Sequence, residues 1–190
     1  ALVLDPQYAE AYALLGWTYW LESISRWNAD PQTLERALAL AQQAAALDNS
    51  LPGAHSLLGG VYAQKQQYEQ AIAAGERAIA LDPNFPRVHY YLGLTYLYKD
   101  GAVRIPDAIE EFKIELAANP EEYFANFYLG ILYIMDRKWE PAIASLEKAT
   151  SKQPNNPDPY FHLGQAYQGA ARHKEAIEVL QKTIALNPSL

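Results

Sequence analysis

Five times in 190 residues the chain writes a variant of one eight-residue phrase. The copies are "YALLGWTY" from Tyr12, "HSLLGGVY" from His55, "HYYLGLTY" from His89, "NFYLGILY" from Asn126 and "YFHLGQAY" from Tyr160. Their Leu-Gly pairs, Leu15-Gly16, Leu58-Gly59, Leu92-Gly93, Leu129-Gly130 and Leu163-Gly164, are 43, 34, 37 and 34 residues apart. A period of this length points to a solenoid, in which one supersecondary unit recurs and buries its apolar face only against its neighbours. Within each phrase the first residue, the Leu-Gly pair and the last Tyr fall at i, i+3, i+4 and i+7. That spacing is one stripe of an amphipathic helix.

A second stretch follows at a nearly fixed offset: Ala71, Gly75, Ala78 and Pro83, then Ala142, Leu146, Ala149 and Pro154, then Ala176, Leu180, Thr183 and Pro188. It reads as a second helix folded back on the first. A glycine inside a helix costs about 1 kcal/mol relative to alanine, so glycines in register need a packing reason. The reason expected here is close helix crossing, with Ala71, Ala108, Ala142 or Ala176 meeting the glycine. "LDPN" at 81–84, "ANPE" at 118–121 and "KQPNNP" at 152–157 stop the second helices, because proline cannot continue one. The pattern predicts helices over 8–22, 31–47, 52–65, 68–81, 85–98, 106–118, 121–135, 139–152, 157–170 and 173–186.

With these residues in place the chain resembles the tetratricopeptide repeat family, whose pattern runs aromatic, Leu-Gly, Tyr, Ala, a large residue, Ala and a closing Pro. The match covers essentially the whole sequence. The resemblance implies an all-α, right-handed solenoid of five antiparallel hairpins in a single array over residues 1–190. The repeats fall at 9–51, 52–85, 86–122, 123–156 and 157–190. The first carries nine extra residues around "LESISRWNADPQTLERA", where Asp30-Pro31 reads as an N-cap followed by a first helical proline and Trp27 as the residue that packs the loop. The third adds three in "YKDGAVRIPDA", and Asn49 stands in the first repeat for the closing Pro. The extended first repeat is similar to repeats in arrays attached to bacterial multidomain signalling proteins such as nucleotide cyclases. "ALVLDP" reads as the tail of an earlier second helix, so the expectation is a fragment of a larger bacterial protein.

Charge narrows the function. Lysine and arginine total 15 against 22 aspartates and glutamates, a net charge of -7 that lacks the cationic surplus nucleic acid requires. No apolar run approaches the roughly 20 residues of a membrane span. Cysteine is absent, which removes thiol nucleophiles and thiolate metal sites but leaves the compartment open. No phosphate loop, His-Glu-x-x-His or Gly-x-Ser-x-Gly motif is present. His55 and His89 occupy one position of adjacent repeats, roughly 8 to 10 Å apart at helix spacing, too far to share a zinc ion. They read as structural, and Glu110-Glu111 and Glu121-Glu122 as solvated faces. Neither an enzyme nor a cofactor or metal is expected.

Function then falls to the surface the repeats share. Opposite the packing stripe, helical spacing leaves a second stripe on each first helix. The resemblance implies that this stripe lines a concave groove where peptides bind. Its candidate residues are Trp17 and Trp20, Ser56 and Gly60, Arg87, Tyr90, Leu94 and Leu97, Phe124, Phe127, Ile131 and Ile134, and Phe161 and Gln165. An apolar strip of this kind marks a binding surface, and the expected ligand is an apolar or amphipathic segment of another protein. Small Gly53, Ser56 and Gly60 between larger neighbours read either as a notch for a bulky side chain or as room for neighbouring hairpins to approach. Only Arg87 matches the cationic clamp with which some family members hold a C-terminal carboxylate, so that mode is not expected. The alternative is a structural array whose groove is filled by its own parent chain or by self-association, including end-to-end stacking of copies.

Overall fold

The computed structural model describes residues 7–25, 30 and 32–187. It is a helical solenoid of repeats. Among the described residues there are ten α-helices: α1 (Ala9–Ile24), α2 (Gln32–Leu47), α3 (Pro52–Gln64), α4 (Tyr68–Leu81), α5 (Val88–Asp100), α6 (Ile105–Ala118), α7 (Tyr123–Met135), α8 (Trp139–Lys152), α9 (Pro157–Gly169) and α10 (His173–Leu186). The three extra residues of the third repeat go into a 3-10 turn, Gly101–Arg104, ahead of α6. There the Arg104 guanidinium lies over the Tyr96 ring, 3.9 Å from its centroid.

The chain divides into two compact units, Ala1–Ala108 and Ile109–Leu190. In the first, α1 pairs with α2 and α3 with α4, α2 packs on α3 and α4 on α5, and the first helices α1, α3 and α5 touch in succession. Trp20, Ala37, Ala41, Leu57, Leu58, Val61 and Ala74 form its principal core. In the second, α7 pairs with α8 and α9 with α10, α8 packs on α9, and α7 meets α9. Its core is Ala142, Ile143, Leu146, Leu163, Ala166, Tyr167 and Ala176.

The repeat glycines are packing positions, but the neighbour differs from the expected alanine. A Cβ on Gly130 would lie 2.5 Å from Leu146 Cγ, and one on Gly164 2.6 Å from Leu180 Cγ. The leucine four residues after the alanine therefore fills the space, while Ala142 and Ala176 stay buried beside it. In the second repeat, where Gly75 replaces that leucine, a Cβ on Gly59 would meet backbone, 3.4 Å from the Ala71 carbonyl and 3.5 Å from Gly75 N.

Two kinds of turn connect the helices. Inside the hairpins, Gln66, Arg137 and Ala171 sit at φ of 60°, 55° and 58°. The next residue's N–H closes back on Tyr62, Tyr133 and Tyr167 carbonyls at 2.9, 2.8 and 2.9 Å. This is a Schellman closure made without glycine, at a cost of roughly 1 kcal/mol each. Between repeats, the first residue of the phrase locks the turn. His55 Nε2 donates to the Asn49 carbonyl at 3.0 Å, His89 Nε2 to Pro83 at 3.1 Å, and Asn126 Nδ2 to Pro120 at 3.0 Å. A carbonyl only accepts, so both imidazoles carry their proton on Nε2. The carbonyl six residues upstream is what the turn needs, which is why Asn49 can stand where other repeats have proline.

Some expected boundaries move for local reasons. Asp30 does cap α2, its Oδ1 accepting from Gln32 N at 2.9 Å, while Trp27, Pro31 and Pro188 lie outside the described residues. Helix α5 starts at Val88 rather than 85 because Arg87 takes a left-handed φ of 64°. Helix α7 starts at Tyr123 because Glu122 is its cap, accepting from Ala125 N at 2.6 Å. Glu122 is thus buried rather than on a solvated face; Glu110 and Glu121 are exposed and pair with Lys113 and Lys152.

Two predictions follow from this packing. Gly130→Ala should lower stability by about 1–3 kcal/mol through overpacking, and Gly130→Ala with Leu146→Ala should lose less than the sum of the single losses. Additive losses in urea unfolding would show that the two residues do not share the space. The second concerns Tyr167, whose hydroxyl donates to Glu147 Oε1 at 2.6 Å across the α8–α9 contact. Burial, then that hydrogen bond, push its phenol up from 10.0 to about 12. A phenol raised in the folded state contributes stability that is complete below its unfolded value and is lost as pH climbs through about 12. A spectrophotometric titration of wild type minus Tyr167→Phe should therefore show one tyrosine ionising near 12; a midpoint at the ordinary value would contradict it.

Candidate functional site

In the first unit, the successive first helices bring Trp17 and Trp20 of α1 against Tyr91 of α5. The two indoles meet edge to face at 5.1 Å, and Trp20 meets Tyr91 at 5.0 Å and 76°. Tyr90 adjoins Tyr91 at 5.1 Å. Trp17 Nε1 donates to the Gly53 carbonyl at 3.3 Å, tying α1 to the start of α3. Edge-to-face arrays of this kind add about 0.5–1.5 kcal/mol per pair beyond burial.

The small residues of α3 make this cluster possible. A Cβ on Gly60 would lie 2.7 Å from Trp20 Cζ2 and 2.8 Å from Cη2. The space over Gly60 is therefore taken by this chain's own indole, only 4% exposed, and the notch expected from sequence is occupied there. A cavity of about 390 Å³ opens next to the pair. Trp20 and Ile24 contribute from α1, Gly60, Ala63 and Gln64 from α3, Tyr90, Tyr91, Leu94 and Tyr98 from α5, and Gln66 and Tyr68 from the turn into α4 and its start. None of these described lining residues is charged. Entry of a charged group would strip its water without an opposite charge to replace it, whereas an uncharged apolar group loses nothing of the kind. Trp20 Nε1 and Ser56 Oγ are buried without a hydrogen-bond partner among the described residues.

Of the sequence-derived candidates in this unit, Trp20, Gly60, Tyr90 and Leu94 reach the cavity; Trp17, Ser56, Arg87 and Leu97 do not line it. Trp17 is half-buried, Ser56 buried and Leu97 half-buried, and exposed Arg87 holds the left-handed position before α5. Sequence reasoning missed six lining residues. Ile24, Gln64 and Tyr98 lie one turn further along the same stripe, four residues after Trp20, Gly60 and Leu94, so a stripe extended by one turn finds them; Gln66, Tyr68 and Tyr91 lie off it.

In the second unit the candidates form an aromatic strip on α7 and α9. The Tyr123 and Phe127 rings stack at 5.9 Å and 5°, and Phe127 meets His162 at 5.6 Å. Phe161 adjoins His162 at 5.3 Å. The Tyr123 hydroxyl accepts from Asn156 Nδ2 at 2.9 Å, which fixes the ring from the turn between α8 and α9. Phe124, Phe161 and Gln165 are exposed, and Phe127, Ile131 and Ile134 are half-buried. Among the described residues of both units, no group of three or more His, Asp or Glu is placed to hold a metal ion.

Comparison with known proteins agrees with this architecture. A family profile described as TPR repeat matches residues 59–100 and 138–170, and one described as tetratricopeptide repeat matches 157–190. No curated protein matches the sequence. Among solved structures, the chain is similar to YrrB, a TPR protein with an unusual peptide-binding site, at 23% identity over 100% of this chain and 91% of that one, with a TM-score of 0.71. It is similar to MamA (41-end) from Desulfovibrio magneticus RS-1, at 24% identity over 94% and 96%, TM-score 0.72. It is also similar to PilW, a widely conserved type IV pilus biogenesis factor, at 18% identity over 96% and 79%, TM-score 0.74. At these identities the likeness speaks for the fold.

The Trp20–Gly60 contact gives a direct test. Gly60→Ala should displace the indole, red-shifting tryptophan emission and costing about 1–3 kcal/mol. An unchanged spectrum at unchanged stability would mean that Trp20 does not lie on Gly60.

Proposed function

The chain belongs to the tetratricopeptide repeat family, and we propose that it serves as a non-catalytic module holding an apolar or amphipathic segment of another protein against its first helices. Family membership supports protein binding as the general role. The observation that carries the finer reading is the uncharged, aromatic-walled cavity beside Trp20 and Gly60. Its size falls within the few hundred Å³ typical of ligand sites, and the lining favours a large uncharged side chain as anchor. YrrB, with the same fold, has a peptide-binding site. In this reading residues 1–190 are five repeats of one array, and each unit carries its own stretch of the binding surface. Trp20, Gly60, Tyr90 and Leu94 belong to the first; Phe124, Phe127, Ile131, Ile134, Phe161 and Gln165 belong to the second. Trp17, Ser56, Arg87 and Leu97 support or flank the first stretch. No helix among the described residues is long and apolar enough to cross a membrane.

Panning a random peptide library against the chain tests the proposal. Enriched peptides should share an aromatic or large aliphatic anchor. Ile24→Glu and Tyr98→Glu change exposed residues at the cavity rim, so the fold should persist by circular dichroism. Their affinity for those peptides should fall about tenfold or more, roughly 1.4 kcal/mol. Failure to enrich any such peptide, or full affinity in both variants and in Phe161→Glu, would sink the reading.

A further inference from the structure

The rings and polar groups of the first unit's cavity set a further condition on what enters it. Five of the lining residues are aromatic: Trp20 of α1, Tyr68 of α4, and Tyr90, Tyr91 and Tyr98 of α5. Among the described lining residues only Ile24 and Leu94 are large and aliphatic. The walls are therefore ring faces and edges rather than the branched side chains that interdigitate with a helix.

The polar members favour donation. Gln64 Oε1 accepts from Ser23 Oγ at 3.2 Å, so the capacity left to this side chain is chiefly its amide N–H groups. Those groups donate to no other described residue, and neither do the side chains of Gln66, Tyr68 and Tyr98. Even the buried wall shows the bias, since the Trp20 indole N–H, which can only donate, has no partner among the described residues. A segment lying here is met by more donors than acceptors.

That imbalance separates the backbones a ligand could offer. A helix bonds its carbonyls to its own N–H groups and leaves the donors of the cavity unused. A β-extended segment brings N–H and C=O groups in equal number, and the N–H groups would lack acceptors. A proline-rich segment brings carbonyls without the N–H groups. In polyproline II those carbonyls make no internal hydrogen bonds, and the uncharged rings dock in aromatic-lined grooves. Such a chain is already extended, so holding it costs little conformational entropy.

Taking the cavity as the protein-binding site proposed above, we infer that the segment whose uncharged anchor enters it is proline-rich and held as a polyproline II helix. Its prolines pack on Tyr68, Tyr91 and Tyr98, and its carbonyls accept from Gln64 and Gln66.

Isothermal titration calorimetry with two uncharged, capped peptides tests this: acetyl-PPPLPPP-amide, and an amphipathic helix of leucine and glutamine that offers the same anchor. The proline peptide should bind about tenfold more tightly or better. Gln64→Ala and Tyr98→Ala change exposed positions. With the fold retained by circular dichroism, each should weaken the proline peptide about fivefold or more, whereas Phe161→Glu, on the second unit, should leave it unchanged. Tighter binding of the helix would overturn the inference while leaving the protein-binding role in place. So would proline-peptide affinity that matches wild type in both Gln64→Ala and Tyr98→Ala, or that is lost in Phe161→Glu. If neither peptide binds although panning has yielded ligands, the polyproline assignment falls alone; if panning has yielded none, the binding role falls with it.

Discussion

The fold depends on one recurring contact: the Leu-Gly pair of a first helix. Its glycine admits a side chain of the helix that follows, Leu146 over Gly130 and Leu180 over Gly164. Its leucine is buried in repeats two to five, and in the third repeat it faces the preceding second helix through Gly75. Helices brought this close gain many weak dispersion contacts, which offset the conformational cost of a mid-helix glycine. No repeat can bury the pair by itself, so the same constraint dictates both the hairpin and the stacking of hairpins.

That dependence explains why the helices were legible from the sequence. Helices α4, α8 and α10 run over 68–81, 139–152 and 173–186, the spans the pattern predicts. The differences arise where a single residue overrides periodicity. Arg87 turns left-handed and delays α5, and Glu122 points its carboxylate at a free backbone N–H rather than at water. Gln66, Arg137 and Ala171 could not be read as left-handed turn residues, because none is the glycine or asparagine that signals that conformation. In these turns the helices on either side fix the geometry, and the residue bears the local cost.

The candidate site was half legible for a related reason. A helical stripe assigns a face, and Trp20, Gly60, Tyr90 and Leu94 do share one cavity. A stripe says nothing of where a large ring settles when its neighbour is small. Trp20 lies down over Gly60 instead of leaving a notch there, and the cavity is consequently walled by Tyr91 and Tyr98, which the stripe did not include. Gly60 thus acts through what it admits from within the chain.

The two units treat the same problem in different ways. Both place large apolar side chains on the face opposite the packing stripe, where water would otherwise contact them. In the first unit α3 offers Gly53, Ser56 and Gly60, and the neighbouring aromatics collapse onto that low ground until Trp20 and Tyr90 are buried. In the second, α7 and α9 present Phe124, Phe127 and Phe161 at adjoining positions with no small helix between them. Phe127 stacks on Tyr123, Phe127 and Phe161 both meet His162 edge to face, and Phe124 and Phe161 remain exposed. Apolar area covered by the chain's own rings is unavailable to a ligand except at the edge of the cluster, where the cavity opens. Area left exposed by stacking is available along its length. A cavity on the first unit and a shallow strip on the second both follow from the size of the residues set between the aromatics.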